Sequence, residues 1–225
     1  MIYFPTTVCD DFFDDPHGVV EISKRSNVVW ESSAKGEWPG MRSQSLYHID
    51  PHLFMFVIKK YLYTFFNKEE MEMVKFMISS VFQKINSKWG SGWVHNDFPK
   101  INTSIIYLTP NANPKSGTSL YTPKNINHKI LNNEIKEKFY RGEISLDDAE
   151  PSRIEHNSQY EKDTTVYNRF NRLLGFDSQT YHAAEEFAGT EERLTLVTFI
   201  DQLSSPPTSY QRMKAFPLDR NDENL

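Results

Sequence analysis

The spacing of apolar residues changes near residue 74, and that change limits what this 225-residue chain can fold into. Leu53, Phe54, Val57, Ile58, Tyr61 and Phe65 recur at helical spacing and share one face. Asp50-Pro51 opens that run, with Asp50 as N-cap and Pro51 at the first helical position. Further upstream, "VCDDFFDDPHGVVEISK" reads as a short strand, a turn at Asp15-Pro16 and a helix carrying Val19, Val20 and Ile22. From Val74 the period is that of a strand: Val74, Phe76 and Ile78 alternate with Lys75 and Ser79. Strands are also predicted at 101–110 ("INTSIIYLTP"), 166–177 ("VYNRFNRLLGFD") and 193–201 ("RLTLVTFID"). Glycine and proline punctuate a loop at 36–46. Helices first and short strands after predict an α+β, mainly β chain built on an antiparallel sandwich or jelly roll.

One domain over 1–225 suffices. It divides into N-terminal helices and supporting strands (1–90), core motifs at 93–121 and 166–201, an insertion at 122–165 and a surface tail at 204–225. The insertion is polar and mostly helical in pattern, with too few apolar residues for a core of its own. It reads as a lid that adds little to the core's stability. At 38% hydrophobic and 14% aromatic residues the chain is globular. A net charge of −5 and the lack of a basic stripe argue against nucleic-acid binding. The apolar run at 53–66 is too short, and too broken by Lys59 and Lys60, to span a membrane. A single cysteine, Cys9, fits a reducing compartment, so a cytoplasmic setting is expected.

Two His-x-Asp triplets occur. In His48-Ile49-Asp50 the aspartate is occupied as a helix cap. In "WVHNDFP", His95 and Asp97 would point the same way from an extended segment. An imidazole and a carboxylate make two thirds of the facial triad that holds non-haem iron(II). The third ligand has to come from His17, His48, His52, His128, His156 or His182. His182 stands out because it precedes a strand on which Arg193, Thr195 and Val197 share one face. A guanidinium on the inner face of an apolar strand needs an anionic partner. Asp177 or Glu185 could serve, as could the carboxylate of a bound acid. Arg42, in "PGMRS", is a candidate to reach a substrate.

With His95, Asp97, His182 and Arg193 in this order, the chain resembles the iron(II)- and 2-oxoglutarate-dependent oxygenases. The closer likeness is to prolyl 4-hydroxylases and their small phage and bacterial relatives. Tyr107 in "SIIYLTP", the turn "SGTSLYTP" and Thr195 in "RLTLVTFI" match further family positions. The resemblance implies a double-stranded β-helix of about eight strands (jelly roll/cupin-like), with N-terminal helices and a helical insertion. It implies iron(II) on His95, Asp97 and His182, and 2-oxoglutarate held by Arg193, Tyr107 and Thr195. It also implies O2 as oxidant, ascorbate as a supporting reductant, and a small-molecule or peptide substrate. Asp97 favours hydroxylation, since the halogenating members lack that carboxylate. Two other readings stay open: an inactive jelly-roll binding or assembly protein, and a cupin-like metalloprotein that does not use 2-oxoglutarate.

Overall fold

In the computed structural model, which describes residues 4–125, 132–187 and 192–216, both Asp-Pro pairs start helices. A short strand β1 (Thr7–Cys9) leads into α1 (Pro16–Ser23), where Asp15 Oδ1 accepts from the Gly18 amide at 2.9 Å. Two short strands follow, β2 (Trp30–Ser32) and β3 (Met41–Ser43), then α2 (Leu46–Ile49) and α3 (Pro51–Leu62). Asp50 Oδ1 accepts from the Leu53 amide at 2.9 Å, so the first triplet is indeed a cap. After α4 (Lys68–Met71) come β4 (Lys75–Ile85), β5 (Asn102–Tyr107) and β6 (Thr118–Pro123). The remaining elements are α5 (Asn133–Arg141), α6 (Leu146–Asn157), β7 (Tyr160–Val166), β8 (Leu173–Asp177), β9 (Tyr181–Ala184), β10 (Arg193–Ser204) and α7 (Ser209–Ala215).

The strands form an antiparallel seven-stranded sheet, β1-β8-β5-β10-β4-β3-β2, and a three-stranded sheet, β7-β6-β9. Alternation then assigns the two faces of the larger sheet. Ile106, Leu173, Leu194, Leu196, Ile200 and Phe82 turn outward into the main core, with Phe54, Val57, Ile58, Tyr61 and Leu62 of α3. Ile105, Tyr107, Leu174 and Phe176 turn inward and meet Leu120 of the smaller sheet. The helices therefore cover one face, and the space between the sheets is left for a site.

Tyr61 ties α3 to the sheet. Its hydroxyl donates to Asn102 Oδ1 at 2.8 Å in full burial. Gly175 makes room for it, since a Cβ there would lie 2.2 Å from the Tyr61 oxygen. Tyr61→Phe is expected to cost about 1–3 kcal/mol, because it strands a buried amide oxygen. Urea denaturation should show the midpoint moving down, and an unchanged midpoint would mean water replaces the hydroxyl.

Four expectations need correction. The 36–46 loop contains β3, which adds to the sheet beside β4 through Met41↔Lys84 and Arg42↔Gln83. The strand expected at 166–177 is confined to Leu173–Asp177, because Asn171 turns the chain with φ 65° and bonds the Phe13 backbone through its side chain. The tail forms α7, capped by Thr208.

The largest correction concerns 122–165. Its last residues are β7, paired along β6. Phe139, Tyr140 and Ala149 share a buried cluster with Ile85, Trp89, Trp93 and Phe187. The buried His156 and Asn157 bond the backbone of Val94 and Gly92. The segment has no core of its own because it completes one supplied by Trp89 and Trp93. Excising 125–163 should therefore destabilise the protein, and Phe139→Ala alone should cost about 3 kcal/mol. A chemical melt checks both; a full-length-like transition for the excised chain would restore the reading of a dispensable lid.

Candidate metal centre

His95 and His182 face each other across a single antiparallel bridge, with each backbone N–H donating to the other's carbonyl, at 3.0 and 2.8 Å. No longer strand is formed at 93–99; Asp97 is held by its amide donating to the Ser178 carbonyl at 2.9 Å. His182 lies opposite Leu120 in the smaller sheet, on the face that looks between the sheets. The imidazoles are 4.4 Å apart. Asp97 Oδ1 is 3.8 Å from His95 Nε2, and Asp97 Oδ2 is 3.5 Å from His182 Nε2. One ligand atom from each residue lies within 4.8 Å of the other two, and this is the one such cluster among the described residues. His128 lies outside them.

The tautomers follow from the hydrogen bonds. His95 Nδ1 is 2.8 Å from the Trp93 carbonyl, and His182 Nδ1 is 3.0 Å from the Thr180 carbonyl. A carbonyl only accepts, so each Nδ1 carries the proton and each Nε2 presents a lone pair to the shared space. Loss of solvent around the ring, and then the neighbouring His182, push the His95 pKa well below its usual value, which keeps the imidazole neutral. His95 is nonetheless 46% exposed at its edge, so small molecules can reach the centre. Burial alone would raise the Asp97 pKa. His182, His95, the Thr103 hydroxyl at 2.7 Å and Arg42 outweigh it and keep the carboxyl ionised. Two neutral nitrogen donors and one carboxylate, with a face left open, suit a divalent iron-type metal.

A second polar group looks into the same space between the sheets. Arg193 is 6% exposed, with its Nε donating to the Ser116 carbonyl at 2.9 Å and its guanidinium 5.2 Å from the Tyr107 ring centre. Burial lowers its pKa, and among the described residues its electrostatic neighbours include no carboxylate. Glu185, one alternative partner, is engaged by Lys162 and Tyr121. Thr195, directly opposite Tyr107, is 0% exposed and its hydroxyl has no partner among the described residues. Tyr107 donates to Thr118 Oγ1 at 2.9 Å. A buried cation beside an unsatisfied hydroxyl calls for an acceptor-rich anion. The five-carbon diacid 2-oxoglutarate fits that demand.

The remaining candidates lie elsewhere. His17 packs on Phe170 and His48 beside Tyr47, and His156 is held by the Val94 carbonyl. Phe98 is 70% exposed beside the ligands. Sequence reasoning missed the hydrogen-bonding role of Thr103, which also reaches Ser178 Oγ at 3.1 Å. Its position two strand residues before Ile105, on the Tyr107 face, was the available signal.

Solved structures share this architecture. A prolyl hydroxylase in complex with a hypoxia-inducible-factor peptide fragment, from Trichoplax adhaerens, is 13% identical with TM-score 0.50, over 94% of this chain and 87% of that one. HygX from Streptomyces hygroscopicus, with nickel and 2-oxoglutarate bound, is 12% identical with TM-score 0.54, over 88% and 83%. The non-heme α-ketoglutarate-dependent carbocyclase SnoK from nogalamycin biosynthesis is 13% identical with TM-score 0.53, over 94% and 86%. No curated protein matches. Among the described residues no helix is long and apolar enough to cross a membrane. The family model for DUF6445, a family of unknown function, matches residues 4–195, so the chain belongs to that family, and its fold is the double-stranded β-helix of the iron(II)/2-oxoglutarate oxygenases.

Proposed function

We propose that the protein is an iron(II)- and 2-oxoglutarate-dependent oxygenase. In our reading it hydroxylates a C–H bond of an amino acid, a prolyl peptide or another small metabolite. The observation that carries this reading is the pairing of two groups that both look into the space between the sheets. His95, Asp97 and His182 offer three ligand atoms, and a buried Arg193 with Tyr107 and Thr195 lacks the anion it needs. Iron(II) bound to the first group would supply oxygen activation coupled to decarboxylation of 2-oxoglutarate. The balance is substrate, O2 and 2-oxoglutarate in; hydroxylated substrate, succinate and CO2 out.

The chain's own residues bind and orient. Trp93 and Thr180 carbonyls fix the imidazole tautomers, Thr103 fixes Asp97, and Arg193 and Tyr107 set the far carboxylate of the cosubstrate. Ile105, Leu120, Leu174 and Phe176 exclude water from one side. The prolyl hydroxylase is solved with a peptide fragment and the carbocyclase comes from nogalamycin biosynthesis, which supports both a peptide and a small-molecule substrate class. Succinate release with iron(II), ascorbate and 2-oxoglutarate, screened against amino acids and proline-rich peptides, tests the proposal. Stimulation by a substrate is expected. No metal-dependent succinate under any condition would leave an inactive binding protein as the better reading.

A further inference from the structure

A polar row crosses the larger sheet beyond the cosubstrate group. Tyr107 is opposite Thr195, Thr195 opposite Gln83, and Gln83 opposite Arg42. Directly paired residues share a face, so Arg42 lies on the same inner face as Tyr107 and Thr195. It is two strands, or roughly 10 Å, away from Thr195. Its guanidinium sits 4.4 Å from the Trp38 ring centre and 5.5 Å from that of Phe199. Phe199 is opposite Thr103, the residue that holds Asp97. The side chain thus runs along the sheet toward the ligand cluster, and Arg42 and Asp97 feel each other's charge.

The slot is rich in donors and short of acceptors. Arg42 Nε and Trp38 Nε1 are both fully buried atoms and have no hydrogen-bond partner among the described residues. Trp89 and Trp93 also have unbonded indole nitrogens among the described residues, but both side chains pack in an apolar cluster. Lys136 of α5 carries a charge that Asp97 and His95 both sense, and among the described residues it has no ion pair. Glu37 is the acid that both cations sense besides Asp97 (Lys136 also senses Glu137). Burial pulls the Arg42 pKa down to about 10, so the guanidinium stays charged at neutral pH. With Asp97 committed to the ligand cluster, the acids these two cations sense among the described residues are Glu37 and, for Lys136, Glu137.

We propose that the substrate carries a carboxylate, received by Arg42, Trp38 Nε1 and Lys136 on the side of the ligand cluster away from Arg193. This deepens the oxygenase reading and rests on it for the position of the cosubstrate. A planar fork over an aromatic ring is suited to bidentate carboxylate binding, and a lysine adds charge without a fixed angle. The substrate would then be an amino acid or peptide with a free acid group rather than a neutral metabolite.

The probe pair is N-acetylglycine and N-acetylglycinamide, which differ by one negative charge. Saturation-transfer NMR follows each on the full-length chain, first metal-free and then with zinc(II) and excess 2-oxoglutarate. The acid is expected to bind in both states and the amide at least tenfold more weakly. Arg42→Gln should raise the Kd of the acid at least tenfold, and Lys136→Gln about threefold. Arg42→Gln should leave 2-oxoglutarate affinity intact. Equal binding of acid and amide overturns the proposal, as does full acid binding in both Arg42→Gln and Lys136→Gln. Loss of 2-oxoglutarate binding in Arg42→Gln also overturns it, by moving Arg42 into the cosubstrate site. Failure of wild type to bind 2-oxoglutarate strikes the oxygenase reading instead, and the metal-free arm still judges the acid slot.

Discussion

Divalent-metal affinity is expected to fall by more than about a hundredfold in each of His95→Ala, Asp97→Ala and His182→Ala. Altering a hydrogen-bond partner of a ligand typically costs about 10–100-fold, and removing the ligand itself should exceed that. Thr103→Val therefore sets the scale: it leaves the three ligands in place and removes only the 2.7 Å bond to Asp97, so roughly a tenfold loss is expected. His182→Ala carries a second consequence. Its ring packs 4.5 Å from Phe176 at the floor of the site, so a cavity opens there, whereas His95, exposed at its edge, leaves none. The fold should survive both, because the bridge between the two residues is made by backbone groups. Calorimetric titration with manganese(II) or zinc(II), alongside circular dichroism, separates lost ligation from lost structure. A well-folded His182→Ala protein that binds metal as tightly as wild type would remove His182 from the ligand set.

The parts of this fold readable in the sequence are those set by local chemistry. Asp15-Pro16 and Asp50-Pro51 start helices because the aspartate and proline act within one turn. The long strands β5 and β10 show because their inward and outward residues differ in character. What stayed hidden depends on partners distant in sequence. Strand β3 is three residues long and exists through its pairing with β4. The helices α5 and α6 look too polar to be buried, since the tryptophans they cover belong to residues 89 and 93.

The site divides along the same line. Spacing suggests that His95 and Asp97 belong together, and resemblance adds His182 and Arg193, which the fold then places on facing sheets. The expected strand geometry at His95 was too regular, as the pair is aimed by one bridge and the Asp97–Ser178 bond instead. Arg42 had only a loop context in the sequence. Its significance needs the register of four strands, β5, β10, β4 and β3, and no local pattern encodes that.

Arg193→Ala is expected to weaken 2-oxoglutarate binding by roughly 2–5 kcal/mol, the usual loss when one member of a buried charge pair is truncated. The wild-type protein holds a guanidinium at 6% exposure with a carbonyl, a tyrosine and aromatic rings as its neighbours. A cosubstrate carboxylate would relieve that desolvation, and so the affinity should depend on it strongly. Arg193→Lys should recover part of the loss, since charge survives without the fork. Thr195→Val should cost less, about 1 kcal/mol, because it removes one neutral hydroxyl bond. Metal affinity should stay within experimental error in all three, as none of them touches His95, Asp97 or His182. Stability gives an independent reading: without its ligand the buried cation is a burden, so ligand-free Arg193→Ala should melt no lower than its lost packing requires. Titrating 2-oxoglutarate into the metal-loaded proteins by calorimetry decides the matter. If wild type and Arg193→Ala bind it equally, the guanidinium serves the fold through Ser116 and Tyr107, and the cosubstrate must be anchored elsewhere on the inner face.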